Sequence, residues 1–591
     1  MNNPEKRVCT AQKCSLRLAL LLFAACILVA CLQPTPIVQI VRETVVVTSV
    51  VVKTEVHEII VTATPEPPVR GGLLVVTSSH DITTLNPILS SDSASSRVQQ
   101  YIYPSLIGED PLTGEIVPTE LAESWSVSDD GLIWTFKVRQ DVVWSDGEQV
   151  DANDFKFTYD AIAAAAVLMQ HKPNIELIKN IEVADDFTLV VTLGQVKCDG
   201  LRDLGLGILP SHLYAADFSD IMTSAQNEAP TVSAGPFLFN EWVRGESITL
   251  LRNDRYFKGA PHMDGLLIKT VPDAGARLAQ LQAGEIDTIP LQPDQLTVAQ
   301  LNPNLKVYTY KDDGYDYIAL NLADPANPQP GLDEDGNKVE QGLHPILSDL
   351  SVRQAIAHAL DYSTIIAKIY LGQGYPLASN VLPTVAWAYN SDIQPYEFDT
   401  AMAAQILEDA GWVDSDGDGV REKDGRILTL RLQTNADNTP RQDLGALVQS
   451  QLNGIGFAIQ FEALELDTLV GELLGQTFDL IIIGWTGLGS DPNDDNFWAL
   501  QSDIPGSGFN FVSFSNDRVD ELLKNGLSLP GCDPAVRAPY YKEIQQIIHD
   551  EIPYIFMTGS IGNTGYAKRW QGVDPGPWSF YWNVEEWTLQ K

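Results

Sequence analysis

The sequence predicts a large α/β protein of more than one domain, and three observations carry that reading. The chain has 591 residues, more than a single hydrophobic core organises. Its hydrophobic content is 44% and its charged content 20%, which supplies apolar surface for a large core and excludes global disorder. Strand and helix periods also lie side by side in residues 121–160. There Trp134, Phe136 and Val138 alternate with Thr135, Lys137 and Arg139, the period of a half-buried strand. Asp130-Gly131 and Asp146-Gly147 are turn dipeptides that favour positive φ. Asp151 suits a helix N-cap, with Asp154 near the positive end of the dipole, and Phe155, Tyr159 and Ile162 share a helical face. The unit reads as turn, strand, turn, strand, turn, helix. It holds no His/Cys cluster, no nucleophile with a base and no Gly-rich phosphate loop, so it reads as scaffold.

The run Leu121-Ala122, Ser124-Trp125, Asp130-Gly131, Trp134-Thr135-Phe136, Arg139, Val142, Trp144, Asp146-Gly147, Ala152, Asp154-Phe155 and Tyr159 resembles the signature of extracellular solute-binding proteins, family 5. These are the peptide- and nickel-type receptors of ABC importers. The resemblance implies a two-lobed, periplasmic-binding-protein-like α/β fold of the class II type, with an extra domain and a central ligand cleft. Further blocks are similar to the family: Gly235-Pro236-Phe237, Asn253 to Phe257, Arg277 to Asp287, Tyr317 to Asn321 and Val352 to Asp361. The implied organisation is 71–107 for the first part of lobe I, 108–228 for the extra domain II and 229–312 for the second part of lobe I. Lobe III then spans 313–558, and 559–591 returns to lobe I, closed by Trp578, Phe580, Trp582 and Trp587. The fold leaves function to a few cavity residues.

Lys and Arg number 38 against 78 Asp and Glu, a net charge of −40. That argues against nucleic acid, which needs a basic footprint; a solvated acidic surface explains it without a ligand. The first 30 residues read as an export signal. Lys6, Arg7, Lys13 and Arg17 precede an apolar run from Leu18 to Ala30, too short for a comfortable membrane span. The run ends in Leu28-Val29-Ala30-Cys31, which resembles a bacterial lipobox and implies lipidation of Cys31 and anchoring on the outer face of the cell membrane. Residues 31–70, rich in Val and Thr and bounded by Pro, read as an extended tether.

Local patterns along the rest of the chain predict particular elements. Leu73 to Thr77 and Phe187 to Leu193 read as strands, Gly284 as the stop of a preceding helix, and Tyr540 to Pro553 as a late helix. Leu480 to Ile483 is an apolar run without alternation, as in a strand buried on both faces. His358 stands alone between alanines, which fits a packed or half-exposed side chain rather than a metal ligand. Asp414, Asp416 and Asp418 with Gly419 open like a calcium loop, but Gly425 stands where the bidentate Glu belongs, and the segment reads equally as a turn. Of six Cys, Cys198 and Cys532 remain beyond the signal and Cys31. A disulfide and a pair of buried thiols are both open to them.

The candidate site lies at the end of the buried run, because ligands in α/β sheets sit outside the carboxyl ends of strands. It comprises Trp485, Thr486, Leu488, Asp491 and Trp498, and family resemblance adds Asn86 and Tyr101 from lobe I. The family implies a monomeric receptor without cofactor that captures a peptide-like solute and delivers it to an ABC permease in the membrane. In dipeptide receptors an Asp that pairs with the ligand's amino group follows a run similar to Gly484-Trp485-Thr486-Gly487; this chain has Leu488 there. Either Asp491 substitutes and holds the amino group of a longer peptide, with Asp494 and Asp495 nearby, or the site takes an uncharged solute such as an oligosaccharide on Trp485 and Trp498. A carboxylate-based hydrolase is the rival of another class; no nucleophile elbow, HExxH or triad pattern supports it. Replacing Cys31 with Ala is expected to release the protein from the membrane fraction, and absence of labelled lipid on the wild-type chain would contradict the anchor.

Overall fold

The computed structural model describes residues 70–590, except 91, 165–176 and 437. The expected signal peptide, the tether and Cys31 lie outside the described residues. In chain order the principal strands are β1 (Leu73–Ser78), β2 (Ala122–Val127), β3 (Ile133–Val138), β4 (Ile178–Asp185), β5 (Thr188–Leu193), β6 (Phe237–Val243), β7 (Ser247–Arg252) and β8 (Gly265–Thr270). They continue as β9 (Thr288–Pro290), β10 (Leu305–Leu320), β11 (Gly374–Tyr375), β12 (Thr429–Asn435), β13 (Ala458–Leu464), β14 (Leu480–Trp485) and β15 (Tyr554–Ala567). The helices that matter below are α1 (Ala152–Ala163), α2 (Leu350–His358), α3 (Thr439–Asn453), α4 (Asp517–Leu527) and α5 (Pro534–Glu551).

Three sheets carry the fold. The first has the order β1-β8-β7-β6, with β1 parallel to β8 and the other pairs antiparallel. The second, β2-β3-β5-β4, is wholly antiparallel. These two sheets share one core, which the C-terminal residues Trp570 and Trp587 also enter. The third sheet runs β9-β15-β10-β14-β12-β13, with β11 against β15. Here β12 lies between β13 and β14 and is parallel to both, while β10 pairs antiparallel with both β14 and β15.

Side-chain alternation explains why this sheet is buried on both faces. Ile318 and Leu320 of β10, with Leu480 and Ile482 of β14, enter a core that includes α2 and α3. Tyr315, Tyr317 and Ala319, with Ile481, enter a second core that includes α4 and α5. Each strand serves two cores, which is why Leu480 to Ile483 shows no polar alternation. At its other end β10 carries Leu305 into a third cluster with Leu281, Ile286, Ile289 and Leu291. The strand pair β10–β15 thus runs between separate cores, and its register breaks between Lys311 and Tyr315 and again between Asp316 and Tyr317. Such breaks bend and twist a strand pair locally.

The unit at 121–160 differs from expectation in one respect. Trp134, Phe136 and Val138 are buried on β3, and the strand before Asp130-Gly131 is β2. The second expected strand, around Val142 to Trp144, is only a bridge between Val143 and Gln149. Trp144 is drawn inward instead, its indole donating to Asp154 Oδ2 at 3.0 Å. Asp151 and Asp154 form a capping box on α1, satisfying amides that would otherwise be orphaned. Asp154 Oδ1 also accepts from the Ser211 amide at 2.9 Å; burial raises its pKa above the ordinary carboxylate value while these bonds oppose the rise. Helix α5 begins six residues before the expected Tyr540, because Asp533 caps it and Pro534 suits its first turn. Asp154→Ala removes a cap and strands the Trp144 indole, so chemical unfolding should show a loss of about 2–3 kcal/mol; a loss below about 0.5 kcal/mol would contradict this role.

Candidate ligand-binding site

The parallel strands β12, β13 and β14 end on the same side, at Asn435, Leu464 and Trp485. Trp485 is half-buried. Its ring lies 4.5 Å from Phe497, 5.8 Å from Phe509, 6.0 Å from Phe511 and 6.2 Å from Tyr317. Four aromatic rings therefore hold the indole, whose Nε1 is enclosed, while the next residue, Thr486, is exposed. Gly484 is required there: a Cβ would come within 2.2 Å of Asp316 Oδ1 and 2.5 Å of Arg441 Nη2. Those two groups form a largely buried ion pair at 2.8 Å, and the Tyr370 hydroxyl donates to Asp316 Oδ2 at 2.7 Å.

Trp485 stands opposite Tyr315 across the β10–β14 pairing, and the Leu488 amide reaches the Asp313 carbonyl at 3.4 Å. The turn after β14 therefore sits on the register break of β10. Asp312 and Asp313 are half-buried at that break, and neither carboxylate pairs with a cation among the described residues. Burial, reinforced by the charge of Asp313, raises the Asp312 pKa, against the opposing Asp313 amide bond. Tyr375 of β11 lies beside them. Its ring covers Gly559, where a Cβ would meet ring carbon at 2.2 Å, and Lys311 Nζ lies 4.7 Å from its centroid. The Tyr375 hydroxyl is enclosed and has no hydrogen-bond partner among the described residues. The sequence offered no local signal for Asp312, Asp313 or Tyr375, because only strand pairing brings Asp313 to the turn after Trp485 and Tyr375 to Gly559.

The other expected site residues have different surroundings. Asp491 receives two hydrogen bonds from the buried Arg537 guanidinium, at 2.6 and 2.9 Å, so its charge is already matched in the preferred bidentate geometry. It is not the free anchor for an amino group that the sequence suggested. Trp498 is only 1% exposed and packs edge-on against Phe514 and Tyr554, so it offers no open stacking platform; its residue type alone did not reveal which face it presents. Asn86 is buried, with its amide donating to Asn227 Oδ1 at 2.8 Å and its carbonyl oxygen accepting from the Ile88 amide. Tyr101 packs edge-on against Phe237 and lines a small pocket with Val76, Val98 and Ile268. Neither is brought to Trp485 by any contact described.

Two further expectations resolve as geometry. Cys198 and Cys532 are bonded, with Cα atoms 5.3 Å apart. In the acidic loop, Asp414 and Asp416 come together with Glu422, their ligand oxygens within 4.8 Å of one another. Glu422 takes the place the sequence assigned to Asp418. All three are acidic groups at or near the surface, and the local amides of Ser415, Gly417 and Gly419 already donate to them.

Comparison with known proteins decides the family. Residues 116–506 match the model of the bacterial extracellular solute-binding proteins, family 5. The chain belongs to this family. Among its relatives, the oligopeptide-binding protein AppA of Bacillus subtilis is 30% identical over 532 residues, covering 89% of this chain and 93% of AppA. Heme-binding protein A of Haemophilus influenzae is 30% identical over 518 residues, covering 81% of this chain and 86% of that protein. The solved structure of Bacillus subtilis AppA in complex with a nonapeptide aligns with a TM-score of 0.65, covering 89% of this chain and all of that one. The two-lobed binding-protein fold is thereby established. No helix among the described residues is long and apolar enough to cross a membrane.

Asp494 is the most perturbed carboxyl near this site. Burial pushes its pKa up to about 7, against the opposing bond from Asn380 Nδ2 at 2.6 Å; Asp495 and Asp491 push it further up. A folded-state pKa above the unfolded value means that the protonated acid stabilises the fold. That contribution is complete below the unfolded pKa and is lost as pH rises through about 7. Asp494→Asn, which mimics the protonated acid, should therefore stabilise the protein by about 2 kcal/mol more at pH 8 than at pH 5 in urea unfolding. A gain independent of pH would contradict the assignment.

Proposed function

We propose that this chain is the substrate-binding lipoprotein of an ABC importer, capturing peptides longer than two residues and passing them to a membrane permease. Family membership supports the receptor role, and likeness to a protein named for oligopeptide binding over 89% of the chain supports the ligand class. The observation that carries the reading is that the turn after Trp485 meets β10 at the uncompensated Asp312–Asp313 pair. The part of the half-buried indole left uncovered offers apolar area to a side chain or peptide plane at little entropic cost. The two carboxylates offer an ammonium the partner that Leu488 cannot and that Asp491, held by Arg537, does not.

In this reading lobe I comprises 71–107, 229–312 and 559–591, domain II 108–228 and lobe III 313–558. The lobes close on the solute by bending at the register break of β10–β15. The protein works as a monomer on the outer face of the cell membrane, held by lipid on Cys31, and turns nothing over. The oligosaccharide alternative loses its second platform, since Trp498 is core.

Calorimetry with peptides of several residues tests the proposal. Trp485→Ala should weaken binding by about 1–3 kcal/mol in addition to the stability lost with its ring contacts. Asp312→Asn combined with Asp313→Asn should reduce affinity about tenfold, roughly 1.4 kcal/mol, for peptides with a free amino terminus but not for their N-acetylated forms. Equal loss for free and acetylated peptides would contradict the carboxylate role. Lost stability with unchanged affinity in Trp485→Ala would make that ring a core residue only.

A further inference from the structure

A second joint, separate from the β10–β15 crossing, ties the segment that carries β2–β5 to the segment that carries β14, α4 and α5. Its covalent part is the bond between Cys198 and Cys532, which are 334 residues apart in sequence. Cys198 opens a tight helical turn, Cys198–Gly205, in the first segment. Cys532 sits in the link between α4 and α5. Polar contacts surround the bond. Asn493 Nδ2 donates to Asp199 Oδ2 at 2.7 Å. Arg202 pairs with Glu109 at 2.6 Å and donates to the Gly114 carbonyl at 3.1 Å. Ser490 is buried among Arg202, Glu109 and Gly114, donating to the Gly114 carbonyl. Asp199, Asn493 and Ser490 thus bring the turn after β14 onto a different domain from the one reached through β10.

A body joined to its partner at one flexible crossing can rotate about several axes. Joined at a second, covalent point, it can rotate only about axes compatible with both. We infer that the Cys198–Cys532 joint is a permanent pivot that limits how far the lobes part, so that reduction of this one bond widens the opening. The inference rests on the two-lobed fold and not on the identity of the solute. Without the bond the joint is held by the Asn493–Asp199, Arg202 and Ser490 contacts alone. Several of these groups are partly exposed, and exposed ion pairs of this kind hold weakly. Reduction is balanced: the disulfide takes two electrons and two protons to give two thiols, while dithiothreitol is oxidised to its cyclic disulfide.

The test uses the ligand-free full chain in detergent, so its outcome is independent of whether the solute is a peptide. Oxidised protein, dithiothreitol-reduced protein and the double variant Cys198→Ser, Cys532→Ser are compared by hydrogen exchange and by small-angle scattering. Opening predicts that amides in 109–114, 198–205 and 488–495 exchange at least tenfold faster without the bond, that β10 and β15 keep their rates, and that the radius of gyration rises. The reduced wild type gives the same readout should the double variant fail to fold. Uniform acceleration across the chain, no acceleration, or an unchanged radius of gyration would overturn the inference and leave the bond a staple of stability only.

Discussion

The antiparallel pairing of β10 with β15 is the constraint on which the rest of the structure depends. It extends from Leu305 opposite Ala567 to Ala319 opposite Tyr554. At one end it enters the small core of Leu281, Ile289 and Leu291; at the other it forms the middle of the sheet that separates two larger cores. No other strand pair among the described residues spans as many positions. Because residues i and i+2 share a face, the pairing decides which aromatic rings of β10 meet Phe556 and Tyr554 and which aliphatic ones meet α2 and α3. Where the register breaks, Asp312 and Asp313 fall out of the regular ladder and beside the end of β14. In the proposed site the strand that joins the cores also supplies the two carboxylates.

Electrostatics around the site follow from how each carboxylate is matched. Asp316 is balanced by Arg441 and Tyr370, and Asp491 by Arg537, each inside low-dielectric surroundings where removing one partner strands the other. Asp494 solves the same problem by taking up a proton instead, with burial as the cause. Asp312 and Asp313 have no cationic partner among the described residues, and burial raises the Asp312 pKa. In a chain with net charge −40, counting acidic residues says nothing about a site, whereas finding which ones lack a counter-charge does.

Much of the scaffold was legible in local sequence. The Trp134-Phe136-Val138 alternation, Asp151 as a helix N-cap, Gly284 as a helix stop and the unbroken apolar run of β14 each express short-range rules, and each appears in the fold. The site was less legible because its contacts are long-range. Asp491 and Arg537 are 46 residues apart, and Asp316 and Arg441 are 125 apart. No periodicity reports such pairs, so Asp491 read as a free anchor when it was already bound. Trp498 failed for a related reason. A four-residue helical turn, Asp495–Trp498, has too little pattern to say whether its ring faces a core or a cleft. Resemblance to the family pointed to the end of β14 but not to which side chains there are available.

Whether the chain takes peptides rather than another solute is read from what the purified protein carries. Protein purified without refolding is denatured, and the small molecules it releases are identified by mass spectrometry. A peptide receptor releases peptides of three or more residues, in amounts approaching one per protein molecule. Release of sugars or metal chelates at that stoichiometry, with no peptides, would contradict that role.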